Sequence, residues 1–401
     1  MRTARFIVFA SLVVYAAIQP SLAAELARVK EKVLHSFGTG ADGAKPFAGL
    51  TQMKAALYGT TIADGANGEG TLFALDAKTG AETVLYSFCS HANCTDGSQP
   101  YGGVVALNGE LYGTTFEGGA ASEGSVFAFD PATGQQTVLY SFCAQENCTD
   151  GYEPIAGLIA VKGKLYGTTF SGGAHGSGTV FAIDVKTGAE TTLYSFCSKA
   201  GCADGESPES NLVELDGILY GTNVAGGADG QGVAFAIDPK SDAERTLHSF
   251  CSQQDCADGG LAEAGLTALN GVLYGAAATG GANDGGTAFS LDPNTGAETV
   301  LYSFCNQENC TDGATPFSSL LVVKGTLYGM TIDGGATGYG TVFSLAPSNG
   351  TESVLYSFCR KKHCTDGVGS DAALIDVKGT LYSTTFFGGA NGQGTAFALK
   401  P

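Results

Sequence analysis

Short apolar runs and turn residues alternate along this chain with a fixed period. The string LYGTT, or a close relative of it, begins at seven leucines that are each 54 residues apart: Leu57, Leu111, Leu165, Leu219, Leu273, Leu327 and Leu381. A period of this length is typical of solenoids, propellers and other repeat arrays. Beyond the N-terminal apolar segment no stretch shows a helical period, so the pattern predicts an all-β repeat protein.

The second repeat shows the predicted elements. It contains the runs GGVVALNG, ELYGTTF, SVFAFD and QTVLYSF, which are rich in β-branched and aromatic residues. Asn108-Gly109 between the first two runs is a hairpin signal, and the Gly-rich EGGAASEG separates the second run from the third. Four antiparallel strands in each repeat predict the blade of a β-propeller.

The two ends of the repeat array predict that it closes into a ring. The array opens on VKEKVLHSF, which matches the fourth strand of a repeat, and ends on GTAFALKP, which matches the third. Pairing residues 29–37 with the strand that ends at Leu399 completes a seventh blade and removes two exposed sheet edges. We therefore expect a single seven-bladed β-propeller domain over residues 25–401.

The repeat also resembles known families. GTLFALDAKTGAETVLYSF is similar to the repeats of quinoprotein-like propellers, and the longer pattern SF…DG…P…GL…LYGTT..GGA.G.GTVF resembles the GloVer tandem-repeat family of bacterial exported proteins. The second resemblance covers residues 33–401, but it brings no activity and no catalytic residues with it. Quinoprotein dehydrogenases hold their cofactor with tryptophan and clustered calcium ligands, and this chain has no Trp, so we expect no such cofactor.

The N-terminus predicts export. Arg2 and Arg5 precede an apolar run over residues 6–18, and SLAA then provides a cleavage site after Ala23 or Ala24, so residues 1–24 are interpreted as a signal peptide. The run is shorter than the ~20 residues that a membrane span needs, and no second apolar segment of that length appears, so no span is expected after cleavage. The formal charge of −19 makes nucleic acid an unfavourable partner. We expect a periplasmic or extracellular protein.

Twelve cysteines form six pairs, each in an SFC….CxDG segment between the fourth strand of one repeat and the first strand of the next. The first copy of this segment, SFGTGADG, lacks both cysteines together. In an oxidising compartment such pairs predict local disulfides, while two-thiol metal sites and redox pairs are the alternatives. The predicted bridges are Cys89–Cys94, Cys143–Cys148, Cys197–Cys202, Cys251–Cys256, Cys305–Cys310 and Cys359–Cys364.

Positions that are the same in every repeat are interpreted as scaffold. An aspartate followed by glycine closes each loop segment (Asp42, Asp96, Asp150, Asp204, Asp258, Asp312 and Asp366), which predicts a turn whose carboxylate accepts backbone N–H groups. One calcium ion per loop is the alternative. The tyrosine of LYGTT and the phenylalanine that follows the fourth strand are expected to pack between blades, and His35 and His248 replace a strand tyrosine.

Positions that differ between repeats are better candidates for a site. Five residues after each loop aspartate, at the start of the innermost strand, the apolar residues of some repeats give way to acids in others. The candidate ligand-binding residues are Phe47, Tyr101, Phe317, Glu209, Glu263 and Asp371, with Glu214 and Asp376 inside the innermost strands expected near the central channel. Aromatic rings beside carboxylates suit sugars or amines.

The sequence therefore predicts an exported, disulfide-stapled propeller that acts as a non-catalytic binding or scaffold module. Its expected partner is an extracellular or envelope ligand, either a glycan or a protein, and no cofactor or metal is expected. Two alternatives remain open. One is a glycan- or lactone-processing hydrolase or lyase that uses the channel carboxylates as acid and base, and the other is a purely structural surface protein.

Overall fold

The computed structural model describes residues 30–401, so the signal predicted at residues 1–24 lies outside the described residues. Those residues form seven four-stranded antiparallel sheets in a ring, with the shortest strand of each sheet nearest the centre. The predicted seven-bladed propeller is confirmed. Within residues 30–401, no helix is long and apolar enough to cross a membrane.

Blades one to six each take four consecutive strands, ordered from the centre outwards. Blade one is β2 (Thr51–Met53), β3 (Ala56–Thr61), β4 (Thr71–Asp76) and β5 (Glu82–Ser87). Blade two is β6 (Val105–Leu107), β7 (Glu110–Thr115), β8 (Ser125–Asp130) and β9 (Gln135–Ser141). Blade three is β10 (Ile159–Val161), β11 (Lys164–Thr169), β12 (Thr179–Asp184) and β13 (Glu190–Ser195).

The second half of the ring repeats this order. Blade four is β14 (Val213–Leu215), β15 (Ile218–Asn223), β16 (Val233–Asp238) and β17 (Ala243–Ser249). Blade five is β18 (Thr267–Leu269), β19 (Val272–Ala277), β20 (Thr287–Leu291) and β21 (Glu298–Ser303). Blade six is β22 (Leu321–Val323), β23 (Thr326–Thr331), β24 (Thr341–Ala346) and β25 (Thr351–Ser357).

Blade seven joins the two ends of the array. It consists of β26 (Ile375–Val377), β27 (Thr380–Thr385), β28 (Thr395–Lys400) and, as its outermost strand, β1 (Lys30–Ser36). β1 runs antiparallel to β28, with Glu31 opposite Leu399 and Val33 opposite Phe397. The predicted closure of the ring by the N-terminal strand is therefore confirmed.

An aromatic pair joins every two neighbouring blades. The phenylalanine that follows each outer strand is fully buried and packs on a phenylalanine in the third strand of the next blade, with ring centroids 4.9–5.4 Å apart. The pairs are Phe37–Phe73, Phe88–Phe127, Phe142–Phe181, Phe196–Phe235, Phe250–Phe289, Phe304–Phe343 and Phe358–Phe397. The predicted interblade packing of these rings is confirmed, and it continues around the whole ring.

The loops that carry the cysteines lie on the same face as the Gly-rich loops between the second and third strands. Ser98, which follows the first cysteine loop, forms a β-bridge with Glu117 of the Gly-rich loop, and the Gly119 N–H donates to the carbonyl oxygen of Cys94. All six predicted cysteine pairs are bridged, and no free cysteine occurs in the described chain. Each bridge closes a loop at this face.

The aspartate that precedes glycine in each loop acts as the predicted turn residue. Asp96 is buried and accepts hydrogen bonds from the backbone N–H groups of Ser90 (2.8 Å) and His91 (3.1 Å) and from the Tyr86 hydroxyl (2.7 Å). These bonds outweigh the effect of burial and hold the pKa of Asp96 below its ordinary value. His35 and His248 take the place of the tyrosine in their blades and contact Asp42 and Asp258 through Nε2.

A glutamate from the outer strand of each blade, except blade two, lies largely buried at the boundary with the preceding blade. Burial, together with the nearby charge of Asp42, raises the pKa of Glu82 to about 7. Burial and Asp312 raise that of Glu352 to about 8. One carboxylate oxygen of Glu82 and one of Glu352 have no hydrogen-bond partner. These carboxyl groups therefore lose solvation in the folded state and gain no positively charged neighbour in return.

At three blade boundaries the residue at this position is either a glutamate paired with a lysine or a neutral glutamine. Lys199 pairs with Glu244 at 2.6 Å and Lys361 pairs with Glu31 at 2.8 Å. In blade two the residue is Gln136, whose amide donates to the Asp96 carbonyl oxygen at 3.1 Å. A neutral amide is thus already accommodated at this position, without a buried charge.

We expect the closing strand to support the ring as strongly as an internal blade boundary does. Phe37→Ala and Phe88→Ala each remove one ring of an interblade pair, so each should lower the free energy of unfolding by about 3–5 kcal/mol. Chemical denaturation of the two variants and the parent chain measures this. A near-zero effect of Phe37→Ala beside a large effect of Phe88→Ala would show that the ring does not depend on β1.

The buried glutamates predict a fold that loses stability as the pH rises. Their folded-state pKa values of about 7 to 8 lie above the ordinary value near 4.5, so the folded state binds more protons between those limits. Their favourable contribution is complete below about pH 4.5 and is lost as the pH rises through 7 to 8. Melting temperatures across this range should show the decline.

Glu82→Gln and Glu352→Gln copy Gln136 and should flatten this decline, with the largest gain in melting temperature above pH 8. Glu308→Gln, which changes an exposed residue of a cysteine loop, removes the same charge and serves as the control. A decline that is equally steep in all the variants would contradict the assignment.

Candidate ligand-binding site at the mouth of the central channel

The segment that leads from each loop into the innermost strand has one residue that faces the axis of the ring. In blade one this residue is Phe47, and Leu50 three residues later is buried in the core between blades seven and one. The loop aspartate before the segment and the buried leucine after it hold its position. Phe47 lies between these two fixed points and outside the interblade core, so the residue at this position can differ from blade to blade.

These residues surround a cavity of about 330 Å³ at the mouth of the channel, with contributions from all seven blades. Six of the eight predicted site residues line it: Phe47, Tyr101, Glu209, Glu263, Phe317 and Asp371. Ile155 of blade three is the seventh residue at the same position. The residue two positions later in each blade also lines the cavity. It is glycine in four blades and asparagine, serine or alanine in the other three, so most of these side chains are small and do not fill the cavity.

One side of the cavity is apolar. The rings of Phe47 and Tyr101 meet edge to face with centroids 5.2 Å apart, and Ile155 continues this side into blade three. Phe317 stands opposite, between the acidic residues of blades five and seven. Aromatic rings in this position offer a ligand contact area with few rotatable bonds.

The other side carries three carboxylates. Burial, with the charges of Glu209 and Asp371 nearby, raises the pKa of Glu263 to about 8. Burial also raises the pKa of Asp371 to about 6 and that of Glu209 above its ordinary range. Since like charges in a partly desolvated space disfavour ionisation, a cation that enters the cavity would relieve the repulsion.

Glu214 and Asp376 do not belong to this cavity. The Glu214 carboxylate accepts a hydrogen bond from the Gly217 N–H at 2.6 Å, and the Asp376 carboxylate accepts one from the Gly379 N–H at 2.9 Å. Both side chains therefore bind the hairpin turns that follow the innermost strands. The structure brings together six of the eight predicted residues and places these two elsewhere.

An aromatic track that the sequence analysis did not identify continues the apolar side outwards. We define it as Phe387, Phe386, Phe47, Tyr101 and Phe116, whose successive ring centroids lie 4.6, 6.0, 5.2 and 5.2 Å apart. Only blade seven has two phenylalanines after its second strand. This departure from the repeat, directly after the second strand, is the sequence signal that could have revealed the aromatic track.

One further cluster has the composition of a metal site. Sγ of Cys197, Sγ of Cys202 and a carboxylate oxygen of Glu206 lie within 4.8 Å of one another. The two cysteines are joined in a disulfide. Thiolates are what bind a metal ion, so this cluster is a bridged loop beside a carboxylate and not a set of three ligands.

Sequence comparison gives the family of the chain. The profile of the Gloeobacter/Verrucomicrobia repeat matches residues 23–148, 143–331 and 306–401, which together span the propeller. The chain belongs to this family, as the repeat pattern predicted. No curated protein matches the chain in sequence.

Solved structures share the fold at low sequence identity. The oligogalacturonate lyase of Vibrio parahaemolyticus aligns with a TM-score of 0.53 at 11% identity, over 93% of this chain and 94% of the lyase. The extracellular domain described as that of a hybrid two-component system of B. thetaiotaomicron aligns with a TM-score of 0.57 at 9% identity. That match covers 92% of this chain, but the chain spans only 39% of the matched protein. These likenesses concern the fold alone.

Proposed function

We propose that this member of the Gloeobacter/Verrucomicrobia repeat family is an exported binding module that holds an organic cation in the mouth of its channel. The observation that carries the proposal is the division of one cavity into an apolar side and a side with three carboxylates. None of these three carboxylates has a hydrogen-bond or salt-bridge partner among the described residues. A ligand with an ammonium group and a hydrocarbon face would satisfy both sides.

The chemistry of the cavity favours a cation over an anion. The chain carries a formal charge of −19, and three of its acidic groups lie in the cavity, where field lines concentrate. An ammonium group gains both from the carboxylates and from the ring faces of Phe47 and Tyr101. The scaffold fits this role, since disulfide-closed loops hold the rim in place around the site.

Catalysis is the second candidate, and the three acids favour it. With pKa values of about 8 and about 6, Glu263 retains its proton near neutrality while Asp371 is mostly ionised. A proton donor beside a base is what acid–base chemistry requires. The lyase that shares the fold acts, by its name, on an oligogalacturonate, which carries one carboxylate per sugar. This acidic cavity would repel such a polyanion, so an enzyme here would need a neutral or cationic substrate.

Benzylamine and benzyl alcohol test the proposal, because they share size and ring and differ in charge. In calorimetric titrations of the full chain we expect benzylamine to bind at least about tenfold more tightly, a difference worth one moderate charge interaction. Its affinity should increase from pH 6 to pH 8, because Asp371 and Glu263 become ionised over this range. Binding should release protons to the buffer.

Matched variants assign the binding to the cavity. Glu263→Gln and Asp371→Asn should each weaken benzylamine binding by about tenfold, whereas Glu308→Gln on the same face should leave it unchanged. Equal binding of the amine and the alcohol would contradict the proposal, as would equal effects of the three variants. Chemical conversion of a bound amino or neutral sugar during long incubation would instead favour the enzyme.

A further inference from the structure

The aromatic track extends the cavity beyond the size of a small ligand. From Tyr101 and Phe47 inside the mouth it passes to Phe386 and then to Phe387, which is 49% exposed. The interplanar angles of these contacts are 69°, 86° and 87°, so rings alternate between face and edge. The result is a continuous apolar strip from solvent to the carboxylates, and not a set of separate exposed side chains.

The strip is particular to blade seven. Where blade seven has Phe386-Phe387, the other blades have Ile62-Ala63, Phe116-Glu117, Phe170-Ser171, Val224-Ala225, Ala278-Thr279 and Ile332-Asp333. The fold of the blade does not require a second aromatic ring there, since six blades form without one. Large exposed apolar side chains that continue a cavity mark a binding surface.

From this we infer that the site takes an extended ligand, an oligosaccharide with a free amino group on the sugar that enters the cavity and further sugar units along Phe386 and Phe387. The inference rests on the proposed function for its cationic end. Sugar rings present C–H faces to aromatic rings, and successive rings of the track lie 4.6, 6.0 and 5.2 Å apart, so one extended ligand can contact several of them. The ammonium group of the leading sugar would meet Glu263, Glu209 and Asp371.

The backbone beside the track favours a sugar over a peptide. Val368 and Phe387 form two reciprocal hydrogen bonds, in which the N–H of each residue donates to the carbonyl oxygen of the other. The Phe386 N–H donates to the carbonyl oxygen of Gly369. An extended peptide usually adds to a free sheet edge through such groups. Here they are already paired, so these residues offer a peptide no free strand edge, whereas the ring faces remain open to the C–H face of a sugar.

Lys45 lies beside the same part of the track. Its ammonium is 5.9 Å from the ring centre of Phe386, at the outer limit of cation–π range. Lys45 would repel an ammonium group at this ring, so we expect the sugar unit at Phe386 to contact it through a C–H face. The high negative charge of the whole chain lowers the cost of bringing further amino groups to the rim.

The test compares ligands of the same shape but different length and charge. Glucosamine, its β-linked tetramer and the N-acetylated tetramer are titrated into the full chain near neutral pH. We expect the glucosamine tetramer to bind at least about tenfold more tightly than the monomer, and the N-acetylated tetramer to bind at least about tenfold more weakly than the glucosamine tetramer. Benzylamine binding is measured beside them.

Variants of the track separate the length effect from the cationic site. Phe387→Ala should remove the advantage of the tetramer and leave glucosamine and benzylamine unchanged, while Phe387→Tyr should retain it. Tyr339→Ala is the matched control, because Tyr339 is 48% exposed on blade six and has no ring contact within the described residues. It should alter none of the affinities.

The outcomes distinguish this inference from the function on which it rests. Benzylamine binding without any gain for the tetramer would overturn the extended site and leave the cationic cavity standing. Equal binding of the acetylated and free tetramers would overturn the amino-sugar assignment. A tetralysine peptide that gains as much from Phe387 as the sugar does would assign the track to peptides instead, and failure of every amine would overturn both proposals.

Discussion

The packing of one phenylalanine ring against the second strand of its own blade and against the neighbouring blade is the constraint on which the rest of this structure depends. A Cβ atom built on Gly59 would lie 2.5 Å from the ring of Phe73 and 2.8 Å from Leu50. The second strand therefore has room only for glycine where it faces the Phe73 ring. The same glycine recurs in the first six blades. In this space the Phe73 ring reaches Phe37 of the neighbouring blade, and burial of both rings stabilises the boundary.

Blade seven accommodates a larger residue at the position of this glycine. Its second strand has Ser383 in place of the glycine, with the hydroxyl bonded to the Ala373 carbonyl oxygen at 2.9 Å. The neighbouring aromatic pair, Phe358–Phe397, has the widest separation of the seven, 5.4 Å. The extra carbon and hydroxyl of the serine are accommodated beside this more widely spaced pair. Blade seven also carries Phe386 and Phe387, the outer end of the aromatic track.

The fold could be predicted from the sequence because each blade boundary repeats the same packing problem every 54 residues. Six residues that line the cavity could be predicted for the opposite reason, since their positions lie outside the interblade core and differ between blades. Phe386 and Phe387 were missed because they lie after the second strand, far in sequence from Phe47, and only the tertiary fold brings them into contact. Strand position alone does not reveal that a hairpin N–H binds the carboxylate of Glu214 and of Asp376, which do not line the cavity.

The acids of the cavity and those of the blade boundaries obey the same electrostatic rule. Glu263 and Glu352 are both raised to pKa values of about 8, in each case through burial next to another carboxylate. At the boundaries two lysines and one glutamine remove the problem locally, whereas among the described residues no basic side chain lines the cavity. A repeat protein can place a lysine at any boundary without filling a cavity. A lysine in the cavity would occupy the space itself, and without one the raised pKa values of Glu263 and Asp371 mean that bound protons offset part of the repulsion.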